Sequence, residues 1–336
     1  MKLRLCRLLA IAAFVSCFLG SAQTLAQNAY ITNDGSGNMS VIDTATNRVT
    51  TTTPVGTAPF SVAVSLDGGT VYVANIDSDN VSAIATATNK VIATIPVGFS
   101  PEGVAVSPDG STVYVANQRS NNVSVIATAT NRVTVTIPVG REPGGVAVTP
   151  DSSTVYVANF LSNNVSVIAT ATNKVTATIP VGANPFGVAI TPDGTTVYVA
   201  NAGFGTNTVS AIATATNRVT ATIPVGSEPG SVAVTPGSSK VYVANFLSNN
   251  VSVIATTRNK VMATIPVGSE PFGVAVTPDG CKVYVANGAS NNVSVIATAT
   301  NKVIAAITVG SGPVAFGVFI TRPSFARTQG FSNCHG

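Results

Sequence analysis

The chain has 336 residues, of which 45% are hydrophobic and only 9% are charged, and it contains no tryptophan. This length provides for a sizeable buried core, and the scarcity of charge suits many short strands that are buried on both faces. The formal net charge of +4 includes three basic residues near the N-terminus, without which 14 basic and 13 acidic side chains remain. So close a balance gives no support for nucleic-acid binding.

Residues 1–26 have the composition of a secretory signal peptide. Three basic residues precede an apolar run from Leu8 to Leu19, and Thr24-Leu25-Ala26 supplies small residues for cleavage. The run is too short to span a bilayer comfortably. We therefore expect a secreted protein of the periplasm or cell surface, with no membrane span in its mature part. An alternative is lipid anchoring at Cys17, because Phe14-Val15-Ser16-Cys17 partly matches a bacterial lipoprotein box.

One five-residue stretch, Val-Tyr-Val-Ala-Asn, sets the organisation of the chain. Its six copies begin at Val71, Val113, Val155, Val197, Val241 and Val283. Ala29-Tyr30-Ile31-Thr32-Asn33 is a degenerate seventh copy, and neighbouring copies are 42 residues apart except for one interval of 44. A fixed period of this length predicts a solenoid, a propeller or an array.

Each repeat contains four strand-like runs. In the repeat over residues 141–182 they are strand A (Gly145–Thr149), strand B (Val155–Asn159), strand C (Val165–Thr170) and strand D (Val175–Val181). Turn-forming residues separate the runs, beginning with Pro150-Asp151 between A and B, and no stretch has helical periodicity. Four antiparallel strands in a repeat of about 42 residues describe one blade of a β-propeller.

The repeat resembles the YVTN-type β-propeller repeat family. The resemblance rests on the Val-Tyr-Val-Ala-Asn core, on the Ser/Thr-Pro-Asp-Gly turn before it, and on the Asn-Asn-Val-Ser-Val-Ile and Ala-Thr-Ile-Pro-Val-Gly segments after it. It covers residues 29–321 and implies a WD40/YVTN-like propeller of the secreted or surface type. Because the family is defined by its scaffold, the resemblance implies no particular activity.

The two ends of the chain predict a closed ring of seven blades. The first repeat lacks its own strand A, and Phe316–Thr321 is a strand A without a blade of its own. Joining the two completes blade 1 and removes the open edge. We thus predict an all-β, seven-bladed propeller of four-stranded antiparallel blades over residues 27–324, followed by a tail over 325–336. The predicted blades are 29–56 with 311–324, 57–98, 99–140, 141–182, 183–226, 227–268 and 269–310.

Two cysteines remain after removal of the signal peptide. Cys281 lies in the A–B turn of blade 7, and Cys334 lies in the tail just after the closing strand. Blades 7 and 1 are neighbours in a closed ring, so a disulfide between these thiols would fasten the closure in a compartment where disulfides persist. Two free thiols are the alternative.

Most familiar active sites lack the residues that they need. The one histidine, His335, is second from the end, so neither a Ser-His-Asp triad nor a multi-histidine metal site is available. Asp77 and Asp79 resemble the opening of a calcium-binding loop, but the downstream glutamate is missing. We expect no cofactor, with calcium at this turn as the alternative.

Blade geometry divides the loops between two faces of the disc. The A–B and C–D turns form one face, which repeats almost unchanged and carries a basic residue in every C–D turn; we call it the constant face. The B–C and D–A loops form the other, variable face. Its candidates for ligand or partner binding are Arg119, Arg141, Glu142, Phe160, Phe204, Glu228, Phe246 and Glu270. Loop aromatics beside charges are typical of partner surfaces, although the phenylalanines have the alternative of folding down between blades.

These observations favour a monomeric, secreted, non-enzymatic binding or scaffold protein of the cell envelope. Its partner, a protein or another envelope component, would dock on the variable face. The alternative is a lactonase-like hydrolase or a lyase that uses Glu142, Glu228 or Glu270 as acid–base groups at the channel mouth. Single-stranded nucleic acid on the basic ring of the constant face is disfavoured, because the C–D turns lack aromatic side chains on which bases stack.

Overall fold

The computed structural model describes residues 27–203 and 205–321. Their strands form seven antiparallel sheets, six of four strands and one of three. Connections of four to six residues, many of them Ser, Thr, Asn, Asp or Gly, separate runs of Val, Ile and Ala, which favour strands because branched side chains pack well on a pleated surface. The predicted seven-bladed propeller is confirmed.

The strands follow the order of the chain from blade to blade. Blade 1 contains β1 (Asn28–Asn33), β2 (Asn38–Asp43) and β3 (Arg48–Pro54), and blade 2 contains β4 (Pro59–Val64), β5 (Thr70–Asn75), β6 (Asn80–Ala85) and β7 (Lys90–Pro96). Blade 3 contains β8 (Pro101–Val106), β9 (Thr112–Asn117), β10 (Asn122–Ala127) and β11 (Arg132–Pro138). Blade 4 contains β12 (Pro143–Val148), β13 (Thr154–Asn159), β14 (Asn164–Ala169) and β15 (Lys174–Pro180).

The remaining blades repeat the same arrangement. Blade 5 contains β16 (Pro185–Ile190), β17 (Thr196–Asn201), β18 (Thr208–Ala213) and β19 (Arg218–Pro224). Blade 6 contains β20 (Pro229–Val234), β21 (Lys240–Asn245), β22 (Asn250–Ala255) and β23 (Lys260–Pro266), and blade 7 contains β24 (Pro271–Val276), β25 (Lys282–Asn287), β26 (Asn292–Ala297) and β27 (Lys302–Thr308). Single 3₁₀ turns, Asp34–Ser36 and Ile76–Ser78, lie in the B–C loops of blades 1 and 2.

The C-terminal segment closes the ring beside β1. Tyr30 N donates to Phe319 O at 2.8 Å, and Val314 N donates to Thr32 O at 2.9 Å. The segment is less regular than the predicted strand A, because it forms isolated bridges to β1 and to β4 of blade 2. The physical reason is an insertion of Val314 and Ala315 between a proline and a phenylalanine that are adjacent in blade 7 as Pro271-Phe272. Positive φ angles at Ala315 (45°) and Gly317 (108°) accommodate these two residues.

The core lies between adjacent blades rather than within one of them. The Val-Tyr-Val-Ala-Asn strands are buried from their second residue onward, whereas the outer D strands are exposed along most of their length. Tyr72 and Ala74 of blade 2, for example, share one hydrophobic cluster with Val113, Val115 and Ile126 of blade 3. Each strand B is therefore covered on both faces, which is why its sequence is a continuous apolar run.

Polar residues of the repeat also hold the blades in place. Asn75 donates through Nδ2 to Asn80 Oδ1 at 2.8 Å and to Ser82 Oγ at 3.0 Å, and it accepts a hydrogen bond from Gly56 N at 3.1 Å. Between blades, Tyr284 of blade 7 donates to Asn47 of blade 1 at 2.6 Å across the closure. The recurring asparagine donates two such side-chain hydrogen bonds through Nδ2 in every blade, although its Oδ1 atom has no partner among the described residues in the six blades other than blade 2. The Asn, Ser and Tyr residues that recur in the repeats therefore have a structural role.

The hydrogen bonds also separate the two faces as blade geometry requires. In blade 2, Thr86 of the C–D turn donates through N to Gly69 O of the A–B turn at 3.1 Å. On the opposite face, Ile76 of the B–C loop donates through N to Ala58 O of the D–A loop at 3.0 Å. Each face is thus built from its own pair of loops.

Three sequence predictions involve residues that the structure does not describe. Cys281 is disulfide-bonded, but Cys334 lies outside the described residues, so the pairing of these two cysteines stays a prediction. The signal peptide over residues 1–26 and the tail over 325–336 lie outside them as well. Within residues 27–203 and 205–321, no helix is long and apolar enough to cross a membrane.

Candidate functional site

Phenylalanine side chains fill the central channel of the propeller. They come from one repeated position, the residue that follows the proline of strand A, which is Phe60 in blade 2, Phe186 in blade 5 and Phe272 in blade 7. Phe316 of the closing segment supplies the fourth ring. Every pair among the four rings is in contact, with centroids 5.1–6.2 Å apart in edge-to-face or tilted geometry. We call this group of four the aromatic plug.

Glycines at the same repeated position make room for the plug. A Cβ atom at Gly144 of blade 4 would lie 2.9 Å from Phe186 Cε2, and one at Gly230 of blade 6 would lie 3.2 Å from Phe272 Cε2. Larger residues would therefore clash with rings that come from the neighbouring blades. The alternation of Phe and Gly at this position therefore has a steric reason. Each of these glycines leaves space for a phenylalanine ring from the neighbouring blade.

A cavity of about 240 Å³ opens above the plug on the variable face. Its lining residues are Phe160, Phe186, Ala202, Glu228, Gly230, Phe246 and Phe272. Phe160 packs edge-to-face on Phe186, with centroids 6.2 Å apart, and Phe246 packs in the same way on Phe272 at 6.1 Å. Each loop phenylalanine thus packs on a ring from the next blade, and together with Glu228 the two line one cavity, which we call the aromatic pocket.

Backbone hydrogen bonds fix the loops that carry the pocket residues. Phe160 N donates to Glu142 O at 2.8 Å, and Phe246 N donates to Glu228 O at 2.9 Å. Glu142 and Glu228 both have a φ of 51°, a left-handed conformation that every D–A loop adopts at this position. The same local fold therefore presents Phe160 and Phe246 at equivalent places in blades 4 and 6.

Glu102 is a buried carboxyl that sequence reasoning missed. It occupies the plug position in blade 3, is 9% exposed, and its Oε2 atom has no hydrogen-bond partner among the described residues. A Cβ at Gly144 would lie 3.3 Å from this oxygen, which places the carboxyl beside the aromatic plug. Burial, together with a smaller contribution from the charge of nearby Glu142, raises the pKa of Glu102 to about 8. The signal was the odd Glu in a position otherwise occupied by Phe or Gly.

The other predicted residues of the variable face that the structure describes do not line the pocket. Arg119, Arg141 and Glu270 are exposed on separate loops, and Glu142 is half-buried near Glu102. Phe204 lies outside the described residues. Exposed apolar side chains on the same face, Phe99 and Leu247, are 64% and 56% exposed. The structure thus brings together Phe160, Glu228 and Phe246 from the predicted set and leaves Arg119, Arg141, Glu142 and Glu270 outside the pocket.

One aspartate of the predicted calcium-binding turn, Asp79, has a structural role. Asp79 accepts a hydrogen bond from Ser100 N at 2.8 Å through Oδ1, while Asp77 is exposed. Within the part of the chain that the structure describes, no group of three or more His, Cys, Asp or Glu side chains is arranged to hold a metal ion.

Charged residues of the constant face also have structural explanations. Among the described residues, five A–B turns contain an aspartate that accepts hydrogen bonds within its own turn, as when Asp67 Oδ1 accepts from Ser65 Oγ at 2.5 Å and from Gly69 N at 2.9 Å. These hydrogen bonds lower the pKa of Asp67. The basic residues that begin the D strands, such as Lys174 and Lys260, are exposed at the rim.

Two family models match segments of the chain. A model described as "Lactonase, 7-bladed beta-propeller" matches residues 27–136, and one described as "YNCE-like beta-propeller" matches residues 105–204. Each match covers less than half of the chain. The YVTN-type assignment itself stays a prediction, and no curated protein matches the chain.

Solved structures share the fold over most of its length. A chain of Kuenenia stuttgartiensis hydrazine synthase is 29% identical, with a TM-score of 0.75 over 80% of this chain and 92% of its own. A functionally unknown protein from Desulfotomaculum acetoxidans is 19% identical, with a TM-score of 0.76 over 88% of this chain and 99% of its own. The chain is therefore a seven-bladed β-propeller that is similar to the YNCE-like and lactonase propeller families.

Proposed function

We propose that the protein is a secreted, non-enzymatic binding protein of the cell envelope that captures its partner on the variable face. The observation that supports this most directly is the aromatic pocket, where Phe160 and Phe246 flank a cavity above a closed channel. Aromatic side chains in partly desolvated pockets are the usual anchors of interfaces. The apolar rim around the pocket, including Leu161 and Leu247, extends the surface that a partner would cover.

Secretion to the envelope is the second part of the proposal. Its support is the pattern of residues 1–26, in which a basic start, an apolar run and small residues follow one another. A disulfide at Cys281 suits an oxidising compartment.

Replacement of both Phe160 and Phe246 with Ser should abolish partner capture without unfolding the propeller, because both side chains are half-buried at the surface rather than in the blade core. The measurement is recovery of partner from a cell-envelope extract on the immobilised mature chain. The matched control replaces Lys174 and Lys260, exposed residues of the same two blades on the constant face, with Ser. Capture that is equal in both variants would remove the variable face as the docking site.

A lactonase-like hydrolase is the alternative, and one observation favours it. The lactonase model covers residues 27–136, which include Glu102. A carboxyl with a pKa near 8 exchanges protons readily at neutral pH and is suited to general acid–base work. The arrangement of the remaining carboxyl groups is less favourable, since Glu142, Glu228 and Glu270 lie on loops of three different blades.

If the alternative holds, the purified protein should hydrolyse members of a lactone panel, and Glu102→Gln should lower the rate at least about a hundredfold, as expected for loss of an acid–base group. Glu270→Gln, at an exposed position, is the matched control. Absence of turnover in the wild-type protein, measured with and without added divalent metals, would leave the binding function as the one supported.

A further inference from the structure

The chemistry of the aromatic pocket restricts what can occupy it. The lining consists of four phenyl rings, two small residues and one carboxylate, that of Glu228. A metal ion would need several oxygen ligands, and a primary ammonium or a guanidinium would need an acceptor for each N–H group that leaves water. Among the side chains of the lining, only that of Glu228 carries oxygen atoms for either purpose. A cation without N–H groups has no such requirement.

Phenyl rings and a carboxylate both attract a cation. The face of an aromatic ring carries partial negative charge and attracts a cation within about 6 Å of its centroid. Phe186 and Phe272 are 5.5 Å apart at the floor, and Phe160 and Phe246 rise from them. Any group that fills a cavity of about 240 Å³ between these rings therefore contacts several of them at once. The size is below the range of roughly 300–1,000 Å³ for drug-sized ligands, which favours a single compact group.

Charge is distributed unequally between the two faces of the disc. The described charged residues on the loops of the variable face are Asp34, Asp77, Asp79, Arg119, Arg141, Glu142, Glu228 and Glu270. The described basic residues on the constant face are Arg48, Lys90, Arg132, Lys174, Arg218, Lys240, Arg258, Lys260, Lys282 and Lys302, and the acidic ones are Asp43, Asp67, Asp109, Asp151, Asp193 and Asp279. Acidic groups outnumber basic ones around the pocket, and the reverse holds on the other side. Such a field concentrates cations at the variable face.

We propose that the aromatic pocket recognises a quaternary ammonium group, and that what docks on the variable face presents one. Recognition of the quaternary ammonium group by the pocket is inferred from the pocket lining. Its presentation by a docked partner rests on the proposed binding function. Phe160, Phe186, Phe246 and Phe272 surround the methyl groups, and the Glu228 carboxylate balances the charge. No hydrogen bond to the cation is required.

The direct test compares choline with 3,3-dimethyl-1-butanol, which has the same shape without the charge. Isothermal titration calorimetry on the mature chain should show choline binding about tenfold more tightly than the neutral alcohol, as cation–π attraction and one nearby carboxylate predict. Glu228→Gln should weaken choline binding roughly fivefold and leave the alcohol unchanged. Because the alcohol reports an intact pocket, a folding defect in the variant is detected in the same experiment. Glu270→Gln, outside the pocket, is the matched control.

The outcomes separate this inference from the proposed function. Equal affinity for choline and the alcohol, or no binding of either, would overturn the quaternary ammonium inference, while loss of partner capture in the Phe160→Ser/Phe246→Ser variant would still support the docking face. Choline that binds selectively and competes with capture supports both. Choline that binds selectively without competing supports the pocket chemistry as a site for a free solute and contradicts its use in docking.

Discussion

A mature chain that ends at Gly312 should fail to form a stable propeller, whereas one that ends at Thr321 should fold. Removal of residues after Gly312 uncovers β1 and withdraws Phe316, Phe319 and Ile320, which are 4%, 0% and 4% exposed. Burial of each such side chain contributes about 1.5–3 kcal/mol, so the loss of about 4.5–9 kcal/mol for the three is comparable with the whole net stability of a typical domain. Hydrogen bonds to Tyr30 and Thr32 are lost as well.

The measurement is cooperative thermal unfolding followed by circular dichroism on the two truncated chains and the full mature chain. Equal transitions for chains ending at Gly312 and at Thr321 would show that the closing segment contributes little. We expect the closing segment to contribute more to the stability of the propeller than the strand A of another blade, because Val62 N and Val64 N of blade 2 also donate hydrogen bonds to it. It therefore joins blades 1 and 2 as well as completing blade 1.

The propeller can be predicted from the sequence because the complete repeats show the same four strand-length apolar runs at a nearly fixed interval. The tyrosines from Tyr72 to Tyr284 recur with one dominant interval, and the apolar runs beside them have the length of strands. Seven copies of one pattern make the strand assignment of each repeat more certain than a single copy would. The unmatched strand at the C-terminus can pair only with the first repeat, which lacks a strand A. The irregular path through Ala315 and Gly317 was not predicted, because an insertion of two residues shows its consequence only against the neighbouring strand.

The candidate site is predictable only in part, because it forms where blades converge. Phe160 and Phe246 stand out in variable loops, and placing them on one face requires only the blade topology. The aromatic plug requires more, since Phe60 and Phe316 are far apart in sequence and meet at the axis. Their packing depends on glycines in other blades, notably Gly144 and Gly230. No pattern within a single repeat contains that information.

Glu102 should make the propeller less stable as the pH rises from about 4.5 to about 8. In the folded protein burial raises the pKa of Glu102 to about 8, whereas the ordinary value for the unfolded chain is 4.5. The folded state therefore holds the proton more tightly, so this stabilisation is fully present below pH 4.5 and is lost as the pH rises towards 8. Because each tenfold difference in proton affinity corresponds to about 1.4 kcal/mol, the loss over this range is about 5 kcal/mol.

The measurement is the free energy of unfolding by denaturant at a series of pH values between 5 and 9, for the wild type and for Glu102→Gln. The amide does not ionise, so the variant should lack most of the decline, whatever the constant cost of burying it. Glu270→Gln, which removes an exposed carboxylate, should follow the wild type. An equal decline in Glu102→Gln and wild type would assign the pH dependence to another group.

Glu142 provides a second test of the same cause. Its charge is the smaller of the two influences that raise the pKa of Glu102, after burial. Glu142→Gln should therefore lower that pKa modestly and reduce the loss of stability above pH 7, with most of the decline retained. Gly144 lies beside both Phe186 and Glu102, since a Cβ atom there would be 2.9 Å from Phe186 Cε2 and 3.3 Å from Glu102 Oε2, so ionisation of Glu102 would place a buried negative charge beside the aromatic plug. We expect choline affinity to rise across the same pH range if the aromatic pocket and Glu102 share one electrostatic environment, because an added negative charge favours a bound cation.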